Sequence, residues 1–325
     1  MLTNMQPNVS IILLNYKGTE DTIACIDSLQ SISYSNYNII IIDNASPDDS
    51  MERLEHYLQT QDIDKYSVFS SPDEAMQSRL PNTKFTLLQS GHNGGYGHGN
   101  NLGIKYALKN GTDYVLTLNN DTIVESGFLQ PMVQMCEKEK NIGIVSGQIF
   151  YLDQPDTFWF NGGTFNKYTG KIIHNDYNTK NTGQKPLHEN TFITGCMWLI
   201  PKNVFHNIGF INEEYFMYVE DLEFSQRVLE RGYSLKISQD SHIYHKVGSS
   251  SGGEVSEFPV YWTTKNKLKF MHKNMKPFVW PLGFYNIFKY SIRWLLQGNL
   301  KLIKSQLKAL TDFFIEKINS NHNFL

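Results

Sequence analysis

Short, nearly continuous apolar runs recur along the chain, each ending in a cluster of polar residues. Val9 to Leu14, Ile39 to Ile42, Phe85 to Leu88 and Tyr114 to Leu118 are four such runs. Their length and lack of alternation predict strands buried on both faces, as in a parallel sheet covered by helices. Between them, Thr19 to Leu29, Met51 to Leu58 and Leu102 to Leu108 carry apolar residues at helical spacing. Strand alternating with helix predicts an α/β fold of right-handed βαβ units. Residues 60 to 84 are polar, contain Pro and Ser, and show no period, which predicts a long surface insertion.

Beyond Asp121 the pattern loosens. Phe128 to Cys136 predicts a helix, Ile142 to Phe150 a strand, and Thr191 to Ile200 a further buried segment. Residues 151 to 190 are aromatic, Gly- and Asn-rich, consistent with hairpins or loops over a cleft. A helix is predicted over Asp221 to Arg231, stopped by Gly232 in the position after the cap. Ile237 to His245 reads as a last strand.

Composition adds boundaries. The chain has 325 residues, 40% hydrophobic and 13% aromatic, enough for a sizeable core. Cys25, Cys136 and Cys196 are widely spaced and form neither a zinc pattern nor a disulfide framework, so a reducing cytosol is expected. No charged-then-apolar leader opens the sequence and no run approaches the ~20 apolar residues of a membrane span, so neither export nor a span is expected. The net charge of −3 is unevenly spread: from Val260 onward eleven basic residues face two acidic ones, +9, which leaves −12 for the rest. That basic tail predicts an anionic partner. Leu300, Ile303, Leu307, Leu310 and Phe314 repeat in it at helical spacing. Such a helix suits either an anionic membrane surface or packing on the catalytic domain or a second subunit.

The strand ends carry the candidate chemistry. Asn15 closes the first strand, Asp43 the second, and Asn119-Asn120-Asp121 the fourth. Taken alone, these residues read as turns and caps. At the carboxyl ends of strands in an open α/β sheet, where ligands bind, a carboxylate with two amides can hold a divalent cation and through it a phosphate. The stretch Gly91 to Asn101 (GHNGGYGHGNN) is read as a glycine-rich loop. Its glycines permit close backbone approach, and Asn93, Asn100 and Asn101 offer amides to a nucleobase or ribose. The order is not G-x-G-x-x-G after the first strand, which argues against a dinucleotide fingerprint. Glu223 reads as ordinary compensation of a helix dipole. Glu220 and Asp221 follow the aromatic run Tyr215 to Val219, which should bury their approach.

Taken in order, NYKGTEDTIACIDSL, IIIIDNAS, HNGGYGHGNNLGI, LNND, TGCMWLI, GFINEEYFMYVEDLEFSQRVLERGY and HKVGSSSG resemble the inverting family 2 glycosyltransferases with a GT-A fold. The rhamnosyltransferase-like branch is the nearest in look, and the resemblance covers roughly residues 8 to 270. It implies a Rossmann-like, nucleotide-sugar-binding, mostly parallel sheet flanked by helices. The catalytic domain would be residues 1–258, with 60–84 as an insertion and 151–190 as acceptor-side loops. Residues 259–325 would form a basic amphipathic helical extension.

The same resemblance implies residue roles. Asp221 would be the general base on the acceptor hydroxyl, with Glu220 beside it. Asp43 would bond the nucleobase, with Asn15, Asn93, Gly94 and Asn100 around the nucleotide. Asp121, His245 and Asn119 would hold Mg²⁺ or Mn²⁺, and Asn120, Glu220 and Lys265 would contact the substrate or nucleotide. Trp262-Thr263-Thr264-Lys265-Asn266 is similar to an aromatic-x-x-Arg-Asn element, with Lys265 in place of Arg. Two departures stand out. Asn119 replaces a carboxylate, which lowers the negative charge of the metal site, and Lys265 cannot grip phosphate bidentately as Arg does.

The implied reaction moves a sugar from a nucleoside-diphosphate donor to a hydroxyl of a growing bacterial surface glycan, with inversion. dTDP-rhamnose is the favoured donor, with UDP-sugars as the other option. The acceptor would be lipid-linked or an oligosaccharide, at the inner face of the cytoplasmic membrane, and no nucleic acid is expected as a partner. Two other readings use the same pattern: a nucleotidyltransferase acting on sugar phosphates, and a non-catalytic carbohydrate-binding protein. The first would show a basic glycine-rich signature near the first strand, where this chain has Asn15-Tyr16. The second has no need of Asp43, Asp121, Asp221 and His245 together.

Overall fold

A computed structural model describes residues 6–61, 66–78, 83–183, 188–247 and 256–322. Its strands are β1 (Val9–Asn15), β2 (Tyr37–Asp43), β3 (Tyr66–Phe69), β4 (Phe85–Gln89), β5 (Tyr114–Asn119), β6 (Thr122–Val124), β7 (Ile142–Tyr151), β8 (Phe158–Phe160), β9 (Gly163–Asn166), β10 (Lys171–His174), β11 (Met197–Pro201) and β12 (Ser234–His245). Its helices are α1 (Thr19–Gln30), α2 (Ser50–Thr60), α3 (Pro72–Gln77), α4 (Gly95–Lys109), α5 (Leu129–Lys138), α6 (Lys202–Ile208), α7 (Glu220–Glu230), α8 (Glu257–Asn274), α9 (Trp280–Phe288), α10 (Ser291–Leu296) and α11 (Leu300–His322). Ten strands form one mixed, mostly parallel sheet, in the order β3-β4-β2-β1-β5-β11-β7-β12-β6, with β8 on β7. β9 and β10 form a separate antiparallel hairpin.

The half from β3 to β5 is parallel throughout, and its strands are the continuous apolar runs. Ile11, Ile12, Leu13, Ile39, Ile40, Ile41 and Ile42 have no exposed surface. Burial of each such side chain stabilises the fold by about 1.5–3 kcal/mol. β11 then enters antiparallel between β5 and β7. That reversal is what separates the two halves of the sheet.

Three local expectations are corrected. The stretch 60–84 is more than a polar insertion: β3 pairs with β4 as a parallel edge strand and α3 follows it. Four half-buried residues are too few for a pattern to register. The glycine-rich stretch is a loop only as far as Gly94, because α4 begins at Gly95. Glycine costs a helix interior about 1 kcal/mol per residue, and close packing overrides that cost. A Cβ on Gly99 would collide with Leu14, and one on Gly103 with Ile12, so the glycines let α4 lie directly on β1 and β2. The tail, finally, is not an appendage at its start. α8 buries Leu268, Phe270 and Met271 in the main core.

Among the described residues no helix is long and apolar enough to cross a membrane. The three cysteines are buried and free.

Candidate active site

Sheet register gathers the strand ends. Asn15 lies opposite Asp43 and Leu14 opposite Asn119, so β1, β2 and β5 deliver their polar termini to one edge. Asp43 is wholly buried there, and its oxygens accept from Asn15 Nδ2 at 2.8 Å, Ser46 Oγ at 2.6 Å, Ser46 N at 3.0 Å and Gln89 Nε2 at 3.0 Å. A nucleobase reaching this carboxylate has to displace one of those donors. Asn93 Oδ1 accepts from Asn44 Nδ2 and from Gly95 N, which folds the turn before α4. Asn100 is buried and donates to Tyr96 O within α4, an internal bond. Asn101 binds Ile211 O and Glu213 on the facing loop. Both amides therefore serve the protein's own packing.

β12 brings the second cluster. Its antiparallel pairing with β6 sets His245 opposite Thr122, and so beside Asp121. His245 Nε2 lies 3.2 Å from Asp121 Oδ1, and both side chains are 8% exposed. His245 Nδ1 is buried with no hydrogen-bond partner among the described residues, and the ring stands edge-on to Trp159 at 4.4 Å between centroids. One carboxylate and one imidazole suit a divalent cation that takes its remaining ligands from elsewhere. Among the described residues no group of three or more His, Cys, Asp or Glu forms a metal cage. Asn120 turns away from this pair and donates to Thr22 Oγ1 at 2.8 Å. Of HKVGSSSG only His245, Lys246 and Val247 fall within the described residues.

The third cluster starts α7. Tyr218 and Val219 precede it with φ of 68° and 75°. A β-branched residue in the left-handed region is a true outlier, costing of order 1–3 kcal/mol. Glu220 is buried, whereas Asp221 keeps partial exposure. Burial, and then the neighbouring Asp221 charge, pushes the Glu220 carboxyl well above its ordinary range. Burial also raises Asp221, to about 6, although backbone N–H groups of Leu222 and Gly195 bond it and hold it back. Asp221 Oδ2 accepts from Gly195 N at 3.3 Å, and Gly195 O accepts from Tyr96 Oη at 2.5 Å. A three-residue path thus runs from the glycine-rich turn to Asp221. Glu223 is paired with Arg227 at 2.9 Å and takes no part in the cleft.

Lys265 bonds Glu316 on α11 at 2.5 Å, and Lys267 is the lysine whose charge acts on Asp221. Residues two apart on a helix point about 200° apart, so the two lysines cannot share a direction. Burial pushes the Lys267 ammonium below its usual range. Sequence reading missed Lys267, Tyr96 and Trp159, since no local pattern distinguishes a core aromatic or surface lysine from one aimed at a cleft.

The raised Glu220 carboxyl makes a stability prediction. A folded-state value above the unfolded one stabilises the fold fully at low pH, and that contribution is lost as pH rises through the folded value. Glu220→Gln removes the penalty of ionisation, so it should raise the unfolding midpoint at pH 8 and leave it nearly unchanged at pH 4. Thermal unfolding at the two pH values checks this; an equal gain at both would contradict it.

Comparison with known proteins bears on the family and the fold. Residues 10–209 match the family model for glycosyl transferase family 2, and residues 114–311 match that for glycosyl transferase family group 2. The chain is 25% identical over 273 residues to the low-salt glycan biosynthesis hexosyltransferase Agl10 of Haloferax volcanii, covering 81% of this chain and 75% of that protein. It is 25% identical over 203 residues to the dTDP-rhamnosyl transferase RfbF of Shigella flexneri, covering 60% of this chain and 65% of that one. Among solved structures, GalNAc-T7 with UDP, GalNAc and Mn²⁺ superposes with a TM-score of 0.60 at 13% identity. That match takes in 83% of this chain but about half, 48%, of the longer one. The mannosyltransferase PcManGT of Pyrobaculum calidifontis, in complex with GDP-Man and Mn²⁺, gives a TM-score of 0.53 at 12% identity, over 95% of this chain and 75% of that one. With its family model matched over most of its length, its mixed sheet and its strand-end carboxylates, this chain belongs to glycosyl transferase family 2, a sugar-transferring enzyme on a GT-A frame.

Proposed function

We propose that the chain transfers a sugar from a nucleoside-diphosphate donor to a glycan hydroxyl by one inverting displacement, with Asp221 as base. The observation that carries this reading is the Asp221 carboxylate at the start of α7, joined through Gly195 and Tyr96 to the turn at the strand ends. Nucleotide and reacting hydroxyl would then approach from opposite sides of one short hydrogen-bonded path. The acceptor oxygen bonds the anomeric carbon as its proton passes to Asp221. The bond from that carbon to the leaving phosphate oxygen breaks, and its electron pair stays on the diphosphate. Asp121 and His245 would hold the divalent cation, which when bound offsets the charge developing on the diphosphate. Lys267 adds a positive charge near the base, which favours the ionised form that must accept the proton. Glu220, buried with Oε2 unpartnered, lacks the exposure to meet an acceptor. The likeness to RfbF supports dTDP-rhamnose as donor, and a bacterial surface glycan is the product proposed with it.

A peripheral position on a cytoplasmic membrane completes the proposal. From Lys276 to Lys304 the chain has five basic residues and no acidic one. Phe278, Leu282, Tyr285, Ile292, Leu295 and Leu296 are each more than half exposed there. Aromatic and aliphatic side chains ringed by cations suit an anionic bilayer, where each Lys or Arg contributes about 1 kcal/mol near the surface. A lipid-linked acceptor would be met at that surface.

Three measurements test these statements. Asp221→Asn keeps the shape but cannot take the proton, so kcat should fall by ~10²–10⁴ while donor affinity holds; full transfer activity would refute the base. Calorimetric titration of Mn²⁺ should show weak binding to the free protein and much tighter binding once nucleoside diphosphate is present, because two protein ligands leave the shell incomplete; tight binding to the free protein would contradict this. Sedimentation with anionic vesicles should pellet the chain, and Ile292→Glu with Leu296→Glu should leave it in the supernatant. Equal pelleting of parent and variant would rule out this face.

A further inference from the structure

One face of α8 lies along the loop that precedes the base. Trp262 stacks on Phe216 at 4.6 Å between ring centroids, Asn266 reaches the next two residues, and Lys269 Nζ donates to Glu214 O at 2.8 Å. Lys273 pairs with Glu214 at the far end. The spacings of four, three and four residues put all of these on a single helical stripe. Asn266 is the central member and has no exposed surface. Its Nδ2 donates to Met217 O at 2.8 Å and to Tyr218 O at 3.1 Å, while its Oδ1 has no hydrogen-bond partner among the described residues. The side chain is therefore used purely as a two-proton donor, and its orientation follows from the two carbonyls it faces.

Those carbonyls stand before and after Tyr218, the first residue of the left-handed Tyr218–Val219 pair. A non-glycine residue keeps such a conformation only where its surroundings over-determine it. On the other side the loop is held by Tyr96 N donating to Phe216 O at 2.9 Å. Asp221 comes three residues after the second clamped carbonyl, Tyr218 O, so the dihedrals of Tyr218 and Val219 set where its carboxylate stands. α8 is itself anchored to α11 through Lys265–Glu316 at 2.5 Å and Tyr261–Asp312 at 2.6 Å.

We propose that Asn266 is a positioning residue for sugar transfer: its buried amide clamps the left-handed Tyr218–Val219 backbone and so fixes Asp221 against the acceptor hydroxyl. The proposal rests on Asp221 being the base. It touches neither donor nor acceptor, and its effect reaches the reaction only through the backbone. Releasing the clamp lets α7's first turn relax towards solvent, with the strand-end elements around the nucleotide left in place.

Kinetics and pH dependence test this. In Asn266→Ala, kcat should fall ~10²-fold, the loss that follows a displacement of about 1 Å in a reacting group, while the donor KM stays at the parent value. The acid limb of kcat/KM, which reports the free enzyme, should move from about 6 towards the ~4 of a solvated carboxylate. The charged and titratable groups facing Asp221 (Glu220 on its own helix, Tyr96 on α4 and Lys267 on α8) are retained, so a moved limb reports exposure of Asp221. A purely structural asparagine would lower Tm and leave both the limb and the split between kcat and KM alone. Where Asn266→Ala does not fold, Asn266→Ser keeps one donor and should show the same changes in smaller measure. Asp221→Asn is run beside them. An unchanged kcat and limb in the Asn266 variants with a fallen Asp221→Asn overturns the clamp alone. Full activity of Asp221→Asn overturns the base, and the clamp with it.

Discussion

One backbone hydrogen bond, Tyr96 N–H to Phe216 O, joins the two halves of this enzyme. It can form only because Gly95 carries no side chain: at φ 85° a Cβ there would run into that same carbonyl. The start of α4, beside the nucleotide-side strand ends, is thereby pressed against the loop that delivers Glu220 and Asp221. Tyr96 adds the second link, through its hydroxyl to Gly195 and onward to Asp221. The proposed donor and acceptor sides would then be held relative to one another, which is the condition an aligned displacement sets. The glycines of α4 serve the same end by letting the helix lie on Ile12 and Leu14.

Cost is concentrated where chemistry is expected. Two left-handed residues and the buried Glu220 carboxyl stand beside Asp221 in the chain, and α8 brings the desolvated Lys267 close enough for its charge to act on it. Each is unfavourable by itself, and a well-packed surrounding is what retains them. The large apolar sheet supplies that surrounding. Asp43 and Asn15, by contrast, sit in a fully satisfied hydrogen-bond network. The Asn15–Asp43 network is thus fully bonded, whereas the proposed base follows directly on a strained backbone.

Where the sequence misled, long-range packing had overruled a local rule. Glycines that locally break a helix became its first turns because β1 and β2 needed the space. Tyr66 to Phe69 has no strand signature of its own and pairs because β4 offers a free edge. Lys265 matched a motif position yet points to Glu316, and its neighbour but one took the place near Asp221. Asn100 and Asn101 were chosen for their amides, and both spend them on protein carbonyls.

The chain by itself determined the parallel half of the sheet, the strand-end position of Asn15, Asp43 and Asp121, and the helix beginning at Glu220-Asp221. These follow from apolar run length, strand-helix alternation and polar stops, all of which act over a few residues. Tertiary structure alone decided which of the paired acids keeps contact with solvent, which lysine approaches it, and that His245 meets Asp121 across β6 and β12. Such choices depend on the direction of a side chain around a helix or on pairing between segments more than a hundred residues apart. No periodicity encodes them, because they are set by what packs against each face once the sheet has closed.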